Sequence, residues 1–67
     1  MKSILKIYQM NSQKDVANIQ KIISKIEGII ACEIALDKKE VQLIYNENFL
    51  ELDTIIENIE NLGYMVI

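Results

Sequence analysis

The period of the hydrophobic residues switches back and forth along this chain, and that alternation limits the fold more than any single residue does. Residues 2–9 put Leu5 and Ile7 on one parity with Lys6 between them, the two-residue repeat of a strand. Over residues 13–27 the repeat becomes helical: Val16, Ile19, Ile22, Ile23 and Ile26 share one side, and Lys14, Lys21 and Lys25 take the other. Gly28 then stands where a helix end favours a left-handed residue. Residues 29–36 return to alternation, with Cys32, Ile34 and Leu36 on one parity, and Val41, Leu43 and Tyr45 repeat the pattern. Asp37-Lys38-Lys39-Glu40 joins these two segments as a polar hairpin turn without a glycine. Leu52, Ile55, Ile56, Ile59 and Leu62 make a second amphipathic helix, Gly63 ends it, and residues 64–67 form a short last strand.

The order is strand, helix, strand, strand, helix, strand. Each half is a βαβ unit with a right-handed crossover. The expected fold class is α+β, ferredoxin-like βαββαβ, with a four-stranded antiparallel sheet and two helices on one face. No linker, proline or low-complexity tract divides the chain, so residues 1–67 are expected to form one domain.

Bulk properties narrow the function. A single cysteine excludes an internal disulfide, and the absence of histidine removes the commonest metal ligand. A net charge of −3 gives no electrostatic reason to bind nucleic acid or an anionic membrane. The apolar runs are too short for membrane insertion, and no signal-peptide core follows Met1, which points to a cytoplasmic protein. With no histidine, no nucleophile–base set and no glycine-rich phosphate loop, an enzyme is not expected.

Several residues carry a more specific resemblance. Leu5 and Ile7 before Met10, Val16 and Ile19 in the first helix, Gly28-Ile29 after it, Val41, Leu43 and Tyr45, Ile55 and Ile59, and Gly63-Tyr64 occur in the order and at the separations of one family. The chain resembles the heavy-metal-associated domain of small copper chaperones and of metal-pumping ATPase N-termini. The family's Met-X-Cys-X-X-Cys loop grips a soft ion with two thiolates. Here the segment reads Met10-Asn11-Ser12-Gln13-Lys14-Asp15, with Ser12 and Asp15 at the two cysteine positions. The resemblance implies that Met10 packs under the loop and that Tyr64 lies near it; with no metal in the loop, Tyr64 reads as a partly buried ring that shields Met10 and the helix start.

Ser12 and Asp15 also have a structural reading of their own. Ser-X-X-Asp at a helix start is a capping box, in which Ser12 Oγ accepts from the Asp15 N–H and the Asp15 carboxylate accepts from the Ser12 N–H. No cofactor is therefore expected, and weak metal binding is the alternative. Its candidate ligands are Met10, Asp15 and, in a dimer, Met65. Cys32, on the parity of Ile34 and Leu36, reads as a core thiol. Lys14, Lys21 and Lys25 read as a solvated helix face, although the resemblance implies that such a face docks an acidic domain.

The sheet face turned away from the helices departs from ordinary patterning. Parity places Ile4, Tyr8, Ile44, Met65 and Ile67 there, where a one-sided sheet should be polar. An apolar patch of that kind marks a homodimer or a protein-partner surface. The expected function is a non-catalytic interaction or regulatory module in metal homeostasis. The alternative is a copper- or zinc-binding or transport protein with non-standard ligands or an intersubunit site.

Overall fold

In the computed structural model, which describes residues 1–67, the elements are β1 (Lys2–Lys6), α1 (Gln13–Ser24), β2 (Ile29–Ala35), β3 (Glu40–Tyr45) and α2 (Leu52–Glu60). β3 is central and pairs antiparallel with both neighbours, giving the order β1-β3-β2. Leu5 stands opposite Val41 and Cys32 opposite Leu43, so the apolar parities of all three strands fall on one face.

Both helices cover that face. Leu5, Ile7, Val41, Leu43 and Tyr45 are buried with Ile19 and Ile23 of α1 and Ile55 and Ile59 of α2. Met10 and Leu50, from the flanking loops, complete the cluster, and no polar side chain is buried in it. Each such aliphatic side chain contributes about 1.5–3 kcal/mol by leaving water. A chain of this length depends on nearly all of them.

Two glycines in the turns that follow the helices take the left-handed region, Gly28 at φ 102° and Gly63 at φ 101°. Gly28 has a second reason to lack a side chain. A Cβ there would come within 3.0 Å of Leu50 Cβ and 3.1 Å of the Phe49 ring. The polar hairpin solves its missing glycine by placing Lys39 at φ 55°, an uncommon conformation for a residue with a side chain.

The structure corrects the sequence reading in four places. α1 ends at Ser24 rather than near residue 27, because the N–H groups of Lys25 and Ile26 turn to the carbonyls of Ile22 and Ile23. That tighter turn keeps Ile26 against the core without helix geometry. β1 closes at Lys6, although the Ile7 N–H still reaches the Lys39 carbonyl at 2.9 Å. α2 stops at Glu60, leaving Leu62 in the following turn and 43% exposed.

The fourth correction concerns the sheet, which has three strands and not four. Residues 64–67 lie against β1 through a single backbone bond, Ile67 N–H to the Lys6 carbonyl at 2.9 Å. A ladder fails to form because its next bond is diverted. The Met65 N–H goes to Oε1 of Gln9 at 2.6 Å, and the Tyr8 carbonyl takes the Lys39 ammonium at 3.1 Å.

Opposite the helices, Ile4, Tyr8, Ile44, Met65 and Ile67 are each between 44% and 68% exposed. The ammonium of Lys6 lies over the Tyr8 ring, 5.9 Å from its centre, and also 3.8 Å from the Glu40 carboxylate. No helix is long and apolar enough to cross a membrane.

Candidate functional site

The loop from Tyr8 to Ser12 and the first turn of α1 form one hydrogen-bonded unit. Ser12 is the N-cap, in extended backbone at φ −143° and ψ 166°. Its Oγ accepts from the Asp15 N–H at 3.3 Å, and Asp15 Oδ2 accepts from the Ser12 N–H at 3.1 Å. Both halves of the capping box are therefore present. A carboxylate in the first turn also suits the positive end of the helix.

Asp15 does more than close that box. Oδ2 additionally accepts from the Asn11 N–H at 2.9 Å and the Ser12 hydroxyl at 3.2 Å. Oδ1 accepts from the Tyr64 hydroxyl at 2.5 Å. The charged form is stabilised by these donors, and the carboxyl is held below its ordinary range, chiefly by Tyr64 and then by the Asn11 N–H. The same bond pushes the Tyr64 phenol up, because it would lose the proton that it donates to a neighbouring anion.

Three further contacts tie the loop to distant parts of the chain. Gln9 Oε1 holds the Met65 N–H, and the Lys39 ammonium donates to the Tyr8 carbonyl and to Asn11 Oδ1. The Met10 N–H reaches the Ile7 carbonyl at 3.2 Å, which turns the chain and drives the Met10 side chain fully into the core. Met10 thus supports the loop from below while Asp15 organises it above.

The sequence reading placed Met10, Ser12, Asp15 and Tyr64 together, and the structure brings them together. It missed Gln9, Asn11 and Lys39. Asn11 is a residue type that favours tight loops, which is a weak local signal. Nothing in the sequence marks Lys39, whose role depends on the hairpin lying beside the loop. Cys32 is half-buried rather than fully enclosed, sits at the middle of the edge strand β2 opposite Leu43, and has a thiol pushed up by desolvation. An inert thiol is the consequence. No group of three or more Cys, Asp or Glu side chains is arranged to hold a metal ion.

Comparison with known proteins places this geometry in a family. The copper chaperone CopZ of Staphylococcus haemolyticus is 33% identical over 48 residues, 72% of this chain and 71% of that protein. Among solved structures, a CopZ metallochaperone superposes with a TM-score of 0.94 over 100% of both chains, at 19% identity, a likeness of fold. The N-terminal domain of a potential copper-translocating P-type ATPase from Bacillus subtilis, in its Cu(I)-loaded state, gives a TM-score of 0.91 at 25% identity. It covers 97% of this chain and 81% of that one. Such domains are non-catalytic. The family model described as heavy-metal-associated domain matches residues 4–65, and with the fold and the buried Met10 loop already in view, the chain belongs to the heavy-metal-associated domain family.

Proposed function

We propose that this chain is a heavy-metal-associated domain whose loop has exchanged soft-metal ligation for a helix cap, and that it serves metal homeostasis as a protein-interaction or regulatory module. The observation that carries this reading is the Asp15 carboxylate. It stands at the second cysteine position of the family motif and is already engaged by the Asn11 N–H, the Ser12 N–H, the Ser12 hydroxyl and the Tyr64 hydroxyl.

The donor set at this turn does not fit a soft ion. Cu(I) favours thiolates, and this loop offers a hydroxyl and a carboxylate. A hard ion needs several converging oxygens, and no such cluster is present. Met10 Sδ is fully enclosed in the core, and Cys32 stands on β2, half-buried.

The exposed apolar residues Ile4, Tyr8, Ile44, Met65 and Ile67 are the proposed partner surface, for a second protein in the cytoplasm. Their exposure supports this assignment, since single-sided sheets normally present polar residues to water. Competition against a Cu(I) chelator, with Zn(II) calorimetry alongside, tests the reading. No stoichiometric complex tighter than about micromolar is expected, the range in which adventitious sites fall. A tight one-to-one complex would instead establish a carrier with unusual ligands, drawn from Met10, Asp15 or, between two copies, Met65.

A further inference from the structure

The outer edge of β2 is open, and its hydrogen-bonding groups can be identified. The Tyr45 N–H goes to the Met1 carbonyl and the Met1 amine to the Tyr45 carbonyl, each at 3.0 Å. Bonding alternates along an antiparallel strand. Leu43 and Tyr45 therefore spend their backbone groups on the β1 side, and Gln42 and Ile44 spend theirs on Glu33 and Ala31 of β2. The N–H and C=O groups of Cys32 and Ile34 are left pointing away from the sheet.

Natural edges are blunted by prolines, charges or bulges. β2 reads Ile-Ile-Ala-Cys-Glu-Ile-Ala, with no proline and one charge, Glu33. Its irregularity lies at the first end, between Ile29 and Ala31, and leaves Ile30 69% exposed. The stretch from Ala31 to Ala35 stays regular and unpaired on its outer side.

We propose that a second copy of this chain covers that edge, with the two β2 strands antiparallel and the two-fold axis at Cys32. This inference goes beyond the loop reading and does not depend on whether the loop binds metal. Cys32 is the midpoint of β2, so this register alone overlaps the strands over their whole length. The same register sets Glu33 of each copy opposite Ala31 of the other, and Ile34 opposite the exposed Ile30. Moving the axis one residue, to Glu33, would put the two carboxylates face to face, which is unfavourable.

The surface beside Ala31 fits this arrangement. A hollow of about 260 Å³ is lined by Lys2, Ala31, Cys32, Glu33, Gln42 and Ile44. Lys2 has no ion-pair partner within the chain, where Lys6–Glu40 is the one salt bridge. Glu33 of the second copy enters over the small Ala31 side chain, toward a hollow whose lining cation is Lys2. The charges are thus complementary in both halves of the dimer.

Sedimentation velocity across a concentration series tests the proposal on the full chain. The mass rises from 7.7 kDa toward twice that value with concentration. Ala31→Glu, on the exposed sheet face, sets like charges opposite each other twice and weakens association by about tenfold. Adding Glu33→Lys to Ala31→Glu restores it. A single-chain mass at millimolar concentration overturns the proposal. So does a dimer indifferent to Ala31→Glu, which would sit on another surface, or a failure of the double variant to recover.

Discussion

The Tyr64 hydroxyl donates to Asp15 Oδ1 at 2.5 Å across 49 residues of chain. It joins the last segment of the molecule to the mouth of the first helix. Because Asp15 also caps α1, one carboxylate couples a local helix signal to the closure of the whole fold.

The bond makes stability depend on pH at both ends of the scale. Asp15 has a lowered pKa in the fold, so its contribution is present above the unfolded carboxylate pKa, near 3.9. It is lost as the pH falls through the folded value. Tyr64 has a raised pKa, so its contribution is complete below the unfolded phenol pKa, near 10, and disappears as the pH climbs through the folded value. Tyr64→Phe removes the largest cause of the Asp15 shift and should move that carboxyl back toward its ordinary range. Carbon-detected NMR titration of Asp15 in the two proteins measures this. An unmoved Asp15 midpoint would show that the backbone N–H groups alone set it.

Ser12 isolates the cap from the tertiary bond. Ser12→Ala removes the acceptor of the Asp15 N–H but leaves Tyr64 on Oδ1. A lost N-cap costs about 1 kcal/mol, and in a domain of this size that lowers the Tm by about 4–8 °C. Urea unfolding should show an earlier midpoint with unchanged slope. Ser12→Thr keeps both the accepting oxygen and the hydroxyl that donates to Asp15 Oδ2, and should recover most of the loss.

Met10 tests the loop from below. Its side chain is fully enclosed, and Met10→Ala would leave a cavity between the loop and the helices. Substitutions of this type cost about 2–5 kcal/mol, a large share of what a chain this short has available. Met10→Leu conserves volume and should cost less than about 1.5 kcal/mol. Chemical denaturation of the pair separates packing from any ligand role of the sulfur. Equal losses for both variants would count against a packing role.

Legibility in the sequence followed the range of the interaction. The capping box was legible because both partners lie within four residues and the motif has a local mechanism. The core face was legible because Val41, Leu43 and Tyr45 share a parity that no other arrangement buries. The fourth strand was misread because Tyr64–Ile67 has the composition of a strand, while a side chain, Gln9, takes the N–H that a ladder needs. The helix end was misread because Ile26 keeps helical spacing inside a tighter turn. Lys39 was invisible for both of its roles. Nothing in Asp37-Lys38-Lys39-Glu40 singles out the residue that adopts positive φ, and nothing local indicates that its ammonium reaches Asn11.

The proposed exchange of sulfur for oxygen at the loop leads to a constructive test. Ser12→Cys with Asp15→Cys places two thiols on the N-terminal turn of α1, three residues apart on one side of the helix mouth. The helix end lowers thiol pKa values, and two thiolates are the ligand type that a soft ion prefers. The double variant should bind Cu(I) in competition with a chelator, whereas the parent should not. In the absence of metal it should be less stable than the parent, because the capping box and the Tyr64 bond both disappear. Adding Cu(I) should then raise its Tm, since a ligand that binds only the folded chain stabilises it by mass action. A folded double variant that ignores Cu(I) would mean that residues 12 and 15 do not correspond to the metal-gripping positions of the family. The parent's cap would then be an ordinary helix start rather than a replacement for a site.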